Sequence, residues 1–337
     1  MTTNAVPQSK RVTRRSFLNL LGLGAATVVG GAVVHRANET QLSAPLPILP
    51  NVVQVPPITI EPAASLRVHL VQTGFVAVKQ AHRAIDGPEA TRLLAIAADN
   101  RWTDWMPIHC WVIEHLEGVV VVDTGETSKV NEKDYFQCDP VTGWVYENNL
   151  RFSVTPADEI SAQVQALGID PADVRTIVQT HLHSDHVGGL ASFPNAQTYI
   201  PREDYPMSNG VLRCHFPSNF APQFASFEAM NIPGIGRGFY VLRDPDVIII
   251  PTPGHSMGHQ SVLLKQEDRH YVFAGDTSFD EAQMREGGIG GIVADVGLAR
   301  TTLENLRTLV RANPTVYLPT HDPDSRRRFA EGVITRW

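Results

Sequence analysis

His181, His183, Asp185 and His186 lie within six residues, in the run Thr180-His181-Leu182-His183-Ser184-Asp185-His186-Val187-Gly188-Gly189. Imidazole nitrogen and carboxylate oxygen are natural zinc ligands. The run follows Thr176–Gln179, an apolar stretch that reads as a strand, so all four groups stand at a strand exit. In extended or turning backbone, residues two apart point the same way. His181 and His183 can then grip one ion while Asp185 and His186 reach a second. The bland alternative is a histidine-rich loop without metal, and this spacing argues against it.

Three more candidate ligands follow apolar runs. His255 comes after Pro251-Thr252-Pro253-Gly254, Asp276 after Tyr271–Ala274 and Gly275, and His321 after Val316-Tyr317-Leu318-Pro319-Thr320. Each alone is weak, because strand-end histidines often only satisfy a turn. Together the seven complete two coordination shells, which is what a two-metal hydrolase needs.

The elements that must position these groups are short. Leu66–Val71, His109–Ile113, Val119–Val122, Thr176–Gln179, Val247–Ile250, Val262–Leu264, Tyr271–Ala274 and Val316–Leu318 read as strands, with Glu117-Gly118 as a hairpin turn. Thr155 reads as the N-cap of a helix with Pro156 in its first turn and Gly168 as its stop. A second helix is expected from about Thr301 to Ala312, with Leu303, Leu306 and Val310 on one face. Hairpin strands followed by alternating strands and helices describe a layered α/β protein. Gly74–Met106 and Glu126–Phe152 fit no simple element. Long loops of this kind often carry substrate contacts. Their aromatics, Trp102, Trp105, Tyr135, Phe136, Trp144 and Tyr146, either pack the loops down or face a substrate.

The ordered set His181-x-His183-x-Asp185-His186, His255, Asp276 and His321 resembles the metallo-β-lactamase superfamily, and Val121-Val122-Asp123-Thr124-Gly125 looks like its first motif. The resemblance covers roughly residues 66 to 325 and implies an αββα four-layer sandwich with the site at one edge. It further implies that His181, His183 and His255 hold a first zinc, that Asp185, His186 and His321 hold a second, and that Asp276 bridges the two Zn2+ of the chain. Asp123 would orient the ligand loop rather than bind metal. Flavodiiron members carry glutamate where His183 stands, which argues against a redox site. One antibiotic-cleaving type carries cysteine where Asp276 stands. The nearest likeness is to the N-acyl homoserine lactonases, through Pro107-Ile108-His109-Cys110-Trp111, Thr252 to Ser261 and His321-Asp322. His259 then reads as a structural hydrogen-bonding residue. Phe279 stands in the pocket where those lactonases have a tyrosine.

The chemistry so implied is hydrolysis of a lactone or related ester by attack of a metal-bridging hydroxide, with Asp185 passing a proton to the leaving alkoxide. A thioester, phosphoester or β-lactam would suit the same ligands, and a non-catalytic metal-binding protein would not need a bridging carboxylate.

Bulk properties narrow the partners. The chain has 337 residues, 43% hydrophobic and 19% charged, with a formal net charge of -7, which argues against a nucleic-acid binder. The expected partner is a small-molecule ester or lactone. Cys110, Cys138 and Cys214 form neither a thiolate zinc site nor a disulfide framework; they read as buried or free thiols, although one pair could bridge in an oxidising compartment.

Residues 1–35 begin with a basic segment containing Arg14-Arg15-Ser16-Phe17-Leu18 and continue as an uncharged stretch to Val34. This resembles a twin-arginine export signal, with the export machinery as partner and a periplasmic or extracellular destination; an uncleaved membrane anchor is the alternative. Residues 36–65 carry Pro45, Pro47, Pro50, Pro56, Pro57 and Pro62 and are expected to form an extended linker, with the hydrolase domain at 66–337.

Overall fold

A computed structural model describes residues 55–85, 89–206, 210–244 and 246–337. The signal-like segment and most of the proline-rich stretch lie outside these residues. Among the described residues, no helix is long and apolar enough to cross a membrane.

Among the described residues thirteen strands form two sheets. The first takes β1 (Ile58–Ala63), β2 (Leu66–Val78), β3 (Met106–His115), β4 (Gly118–Val122), β5 (Leu150–Ser153), β6 (Val174–Val178) and β7 (Gln197–Tyr199). Their order is β1-β2-β3-β4-β6-β7, and β5 adds to the far half of β2. The second takes β8 (Glu228–Ala229), β9 (Arg237–Tyr240), β10 (Val247–Pro251), β11 (Gln260–Lys265), β12 (His270–Gly275) and β13 (Thr315–Pro319), in the order β13-β12-β11-β10-β9-β8.

Alternation along the strands builds the layers. Leu66, Val68, Leu70, Trp111, Val120 and Val122 of the first sheet meet Val247, Ile249, Val262, Leu264, Phe273 and Leu318 of the second in one buried core. The intervening residues face outward under helices. Val71, Cys110, Val112, Val121 and Ile177 pack under the helix Ile160–Ala166 through Ile160 and Val164. Ile248, Ile250, Leu263, Val272 and Tyr317 pack under the helix Val296–Ala312 through Leu303, Leu306 and Leu309. The result is the four-layer αββα sandwich.

Six further α-helices occur among the described residues. In chain order the helices are α1 (Gln80–Arg83), α2 (Arg92–Ala98), α3 (Pro140–Asn149), α4 (Ile160–Ala166), α5 (Ser184–Val187), α6 (Glu281–Glu286), α7 (Val296–Ala312) and α8 (Ser325–Glu331).

Several expectations need correcting. The linker does not extend to residue 65: Ile58–Ala63 pairs antiparallel with β2 as an edge strand. Its alternation of half-buried and exposed residues suits an edge, where proline at the strand margin costs no ladder bond. Thr155 does not cap a helix. Its N–H and Oγ1 donate to Asp158 Oδ2 at 2.8 and 2.6 Å in a turn, and α4 begins only at Ile160. α7 starts at Val296, earlier than expected, because Asp295 accepts from Leu298 N and caps it there. The two unassigned stretches contain α1, α2, α3 and β5. Cys138 and Cys214 are joined by a disulfide, and Cys110 is buried and free.

Candidate metal centre

Strand direction collects the ligands. β4 and β6 run parallel in one sheet; β12 and β13 run parallel in the other, and β10 shares their direction through antiparallel β11. The loops leaving β4, β6, β10, β12 and β13 carry Asp123, the His181 run, His255, Asp276 and His321. All therefore open at one edge of the sandwich. Two of these loops turn on glycine. Gly254 and Gly275 sit at φ +141° and +57°, where a side chain would strike Ala299 backbone at 2.4 Å and His259 Nε2 at 2.6 Å respectively. Each positions the ligand that follows it.

The ligand atoms converge. His183 Nδ1 lies 2.9 Å from His181 Nε2 and 3.1 Å from His255 Nε2. His321 Nε2 lies 3.5 Å from Asp185 Oδ2 and 3.4 Å from Asp276 Oδ2. Asp276 reaches both groups, with His255 Nε2 at 3.5 Å and His186 Nε2 at 3.4 Å. His181, His183 and His255 make one set able to hold an ion, and Asp185, His186 and His321 make another.

Tautomers follow from the partners behind the rings. His321 Nδ1 faces the carbonyl of Pro107 at 2.9 Å and His186 Nδ1 faces Asp123 Oδ2 at 2.8 Å. Carbonyl and carboxylate only accept, so both Nδ1 atoms carry the proton and both Nε2 atoms present lone pairs to the centre. His186 Nε2 and Asp276 Oδ1 are buried without any hydrogen-bond partner. Orphaned acceptors facing one another in a buried site are costly unless a cation shares them, so these residues fit a bound metal ion. Burial pushes the His181 and His255 imidazoles well below their usual range, which keeps them neutral for ligation.

The supporting groups are placed as follows. Asp123 is fully buried and accepts from Thr180 N, Thr180 Oγ1 and His186 Nδ1 at 2.7 to 2.8 Å. It thus ties the ligand loop to β4 and aims His186. His259 Nε2 accepts from the N–H of Asp276 at 3.1 Å. Its Nδ1 therefore donates, to Thr252 Oγ1 at 2.9 Å; Thr252 in turn bonds Ser261 Oγ, which donates to Ala274 O. Phe279 is buried and its ring stacks on His321, with centroids 5.9 Å apart.

Other positioning residues act through contacts distant in sequence. Asp204 accepts from Ser256 Oγ at 2.5 Å and Gly258 N at 2.9 Å, which fixes the His255 loop. Asp322 binds Arg328 Nη2 at 2.7 Å and fixes the His321 loop. Tyr146 Oη accepts from Ser184 N at 3.1 Å and donates to Gly210 O at 2.9 Å, so α3 braces the ligand turn. Glu126 is buried beneath this turn and accepts from Tyr135 Oη at 2.6 Å.

The centre floors a cavity of about 530 Å³. Asp185, Asp276, His183, His255 and His321 lie at its base; Leu93, Ile96, Trp144, Val145 and Phe279 give it an apolar wall. Of the unassigned aromatics, Trp144 and Tyr146 line the cavity, whereas Trp102 packs under Lys79 and Arg151.

The sequence matches the metallo-beta-lactamase superfamily over residues 103–321, and with this fold and site the chain belongs to that superfamily. Among curated relatives, N-acyl homoserine lactonase AttM of Azorhizobium caulinodans is 29% identical over 234 residues, covering 66% of this chain and 85% of its own. The N-acyl homoserine lactonase of Bacillus cereus is 27% identical over 228 residues, covering 66% and 84%. Both relatives are hydrolytic enzymes. Among solved structures, an N-acyl homoserine lactone hydrolase with the product N-hexanoyl-L-homoserine at its catalytic metal centre shares the fold. The TM-score is 0.63 at 19% identity, covering 77% of this chain and 94% of the other.

Proposed function

We propose that the chain is a dinuclear zinc hydrolase of a lactone or related ester, of the N-acyl homoserine lactone kind. One observation carries this reading: seven His and Asp groups, five of them buried and two half-buried, converge beside an apolar-walled cavity. The two relatives named as N-acyl homoserine lactonases support the substrate class.

His181, His183 and His255 would hold one zinc, Asp185, His186 and His321 the other, with Asp276 shared. Zinc bound there supplies a Lewis acid and makes water nucleophilic near neutral pH. The apolar wall takes up an acyl chain and excludes bulk water, and Phe279, stacked on His321, is the apolar surface beside the ring end of the substrate. Asp185, whose Oδ2 faces His321, would take the proton released by the attacking water and pass it to the leaving alkoxide.

The test is a hydrolysis screen over homoserine lactones, thioesters, phosphoesters and β-lactams, with elemental analysis of the same sample. Two zinc equivalents and lactone turnover are expected. Asp276→Ala should weaken both sites, and His321→Ala mainly the second. A single equivalent that added zinc does not raise sinks the dinuclear reading. Turnover of another ester alone sinks the lactone.

Export is part of the proposal, and the Cys138–Cys214 bridge supports an oxidising destination. Arg14→Lys with Arg15→Lys keeps the charge and should abolish export through a twin-arginine receptor; undiminished export refutes that route.

A further inference from the structure

His82 stands on α1, is only 7% exposed, and lines the same cavity as His183, Asp276, Phe279 and His321. Its Nδ1 is buried without a hydrogen-bond partner. That atom is closed to the cavity as well, so the nitrogen left for a ligand is Nε2, which no hydrogen bond engages and which is not among the buried unpaired atoms. His109 also has an unpaired buried Nδ1, but it does not line the cavity. Ser256 Oγ donates to Asp204 and Asn149 Nδ2 to Val145 O, while Arg92, also on the wall, donates through Nη2 to Val293 O and leaves its Nε unpaired.

The backbone around His82 is fixed by hydrogen bonds from two other segments. Asp99 Oδ2 accepts from Ala81 N at 2.8 Å, and the carbonyl of His82 accepts from Gly291 N at 2.9 Å and Ile292 N at 3.2 Å. One side chain ties this helix to Phe279. Gln283 accepts from Phe279 N at 2.7 Å through Oε1 and donates to Arg83 O at 3.1 Å through Nε2. The apolar ring at 279 and the imidazole at 82 are thus held in register on one wall of the cavity. Burial pulls the His82 pKa down to about 3, so the ring is neutral and keeps one N–H to give.

We propose that His82 is a catalytic residue that donates a hydrogen bond from its imidazole to the substrate carbonyl oxygen. It thereby supplies the donor that Phe279 lacks. The proposal rests on the ester-hydrolase reading above. Charge develops on that oxygen during attack, so a donor fixed beforehand acts more strongly on the transition state than on the bound ester.

The experiment compares wild type, His82→Phe, His82→Gln, Phe279→Tyr and the double variant His82→Phe with Phe279→Tyr. The substrate is N-hexanoyl homoserine lactone, at matched zinc content. His82→Phe keeps a planar ring without a donor, and its kcat should fall by about tenfold or more. That is less than the ~10²–10³ of a sole oxyanion donor, because a Lewis acid shares the charge. His82→Gln retains an N–H and should keep most of the rate. Phe279→Tyr should add little to the wild type yet restore most of the loss in the double variant, which no purely structural role of His82 explains. A wild-type rate in His82→Phe overturns the proposal. So does equal impairment of the Phe and Gln variants, a loss that tracks zinc content, or a double variant without rescue. Wild-type lactone turnover tests the underlying reading separately. If only phenyl acetate is cleaved, the lactone falls and the same five proteins compared on phenyl acetate decide the role of His82.

Discussion

The backbone N–H of Asp276 donates to Nε2 of His259, 3.1 Å away. That one bond decides what His259, a sixth imidazole near the centre, does. Its lone pair is spent on the main chain of the shared carboxylate, and its Nδ1–H is spent on Thr252. His259 holds Asp276 in place from behind.

His259→Leu should therefore leave the number of metal equivalents unchanged while weakening affinity about 10- to 100-fold, the usual cost of losing a group that orients a ligand. Competition against a chelator, with elemental analysis of the saturated protein, separates the two outcomes. Loss of one full equivalent at saturating zinc would show instead that His259 is itself a ligand.

The Cys138–Cys214 bridge spans a sequence separation of 76 residues and should contribute ~4 kcal/mol by restricting the unfolded chain. It anchors the chain beside Gly210, whose Cα abuts the His183 ring and whose carbonyl accepts from Tyr146. Cys138→Ser with Cys214→Ser should lower the urea midpoint accordingly and also weaken zinc binding. An unchanged midpoint, in wild-type protein shown by thiol titration to be bridged, would contradict this.

Burial raises the Glu126 carboxyl from 4.5 to about 7, against the hydrogen bonds from Tyr135 and Thr127 that favour its charge. A raised acid stabilises the fold fully below its unfolded pKa, near 4.5, and that contribution fades as pH climbs through 7. Glu126→Gln is neutral throughout. The stability of the wild type relative to this variant should thus decline from pH 5 to pH 8, by ~3 kcal/mol at most. Urea unfolding of both proteins with chelator present measures it, and a gap independent of pH would be the contrary result.

The ligand run was legible because its chemistry is local: four donors crowd one strand exit, and β-branched runs such as Val119–Val122 announce the strands before the turns. The remainder acts at a distance. Asp204 reaches Ser256 across 52 residues, and no neighbour of Asp204 in sequence hints at this. His82 becomes significant only because Gly291 and Gln283 dock its short helix onto the cavity wall. α3 could have been found, since Asp139 caps it and Pro140 opens it, the pattern of a helix start. The strand β5 could not, because Leu150–Ser153 is defined by pairing with β2 far upstream. The edge strand β1 was hidden by its prolines, which mark linkers and sheet margins alike.

Seen as topology, the cross-link between Cys138 and Cys214 closes a covalent ring, and His181, His183, Asp185 and His186 all lie on it. His255, Asp276 and His321 lie outside. A nick anywhere within the ring leaves a single molecule with all seven groups still joined. A cut in the span from residue 215 to 254 divides them four against three, and only packing and metal would then hold the halves of the centre together. The bridge thus makes the ring half of the site tolerant of proteolysis, and leaves the connection to the second sheet as its exposed seam.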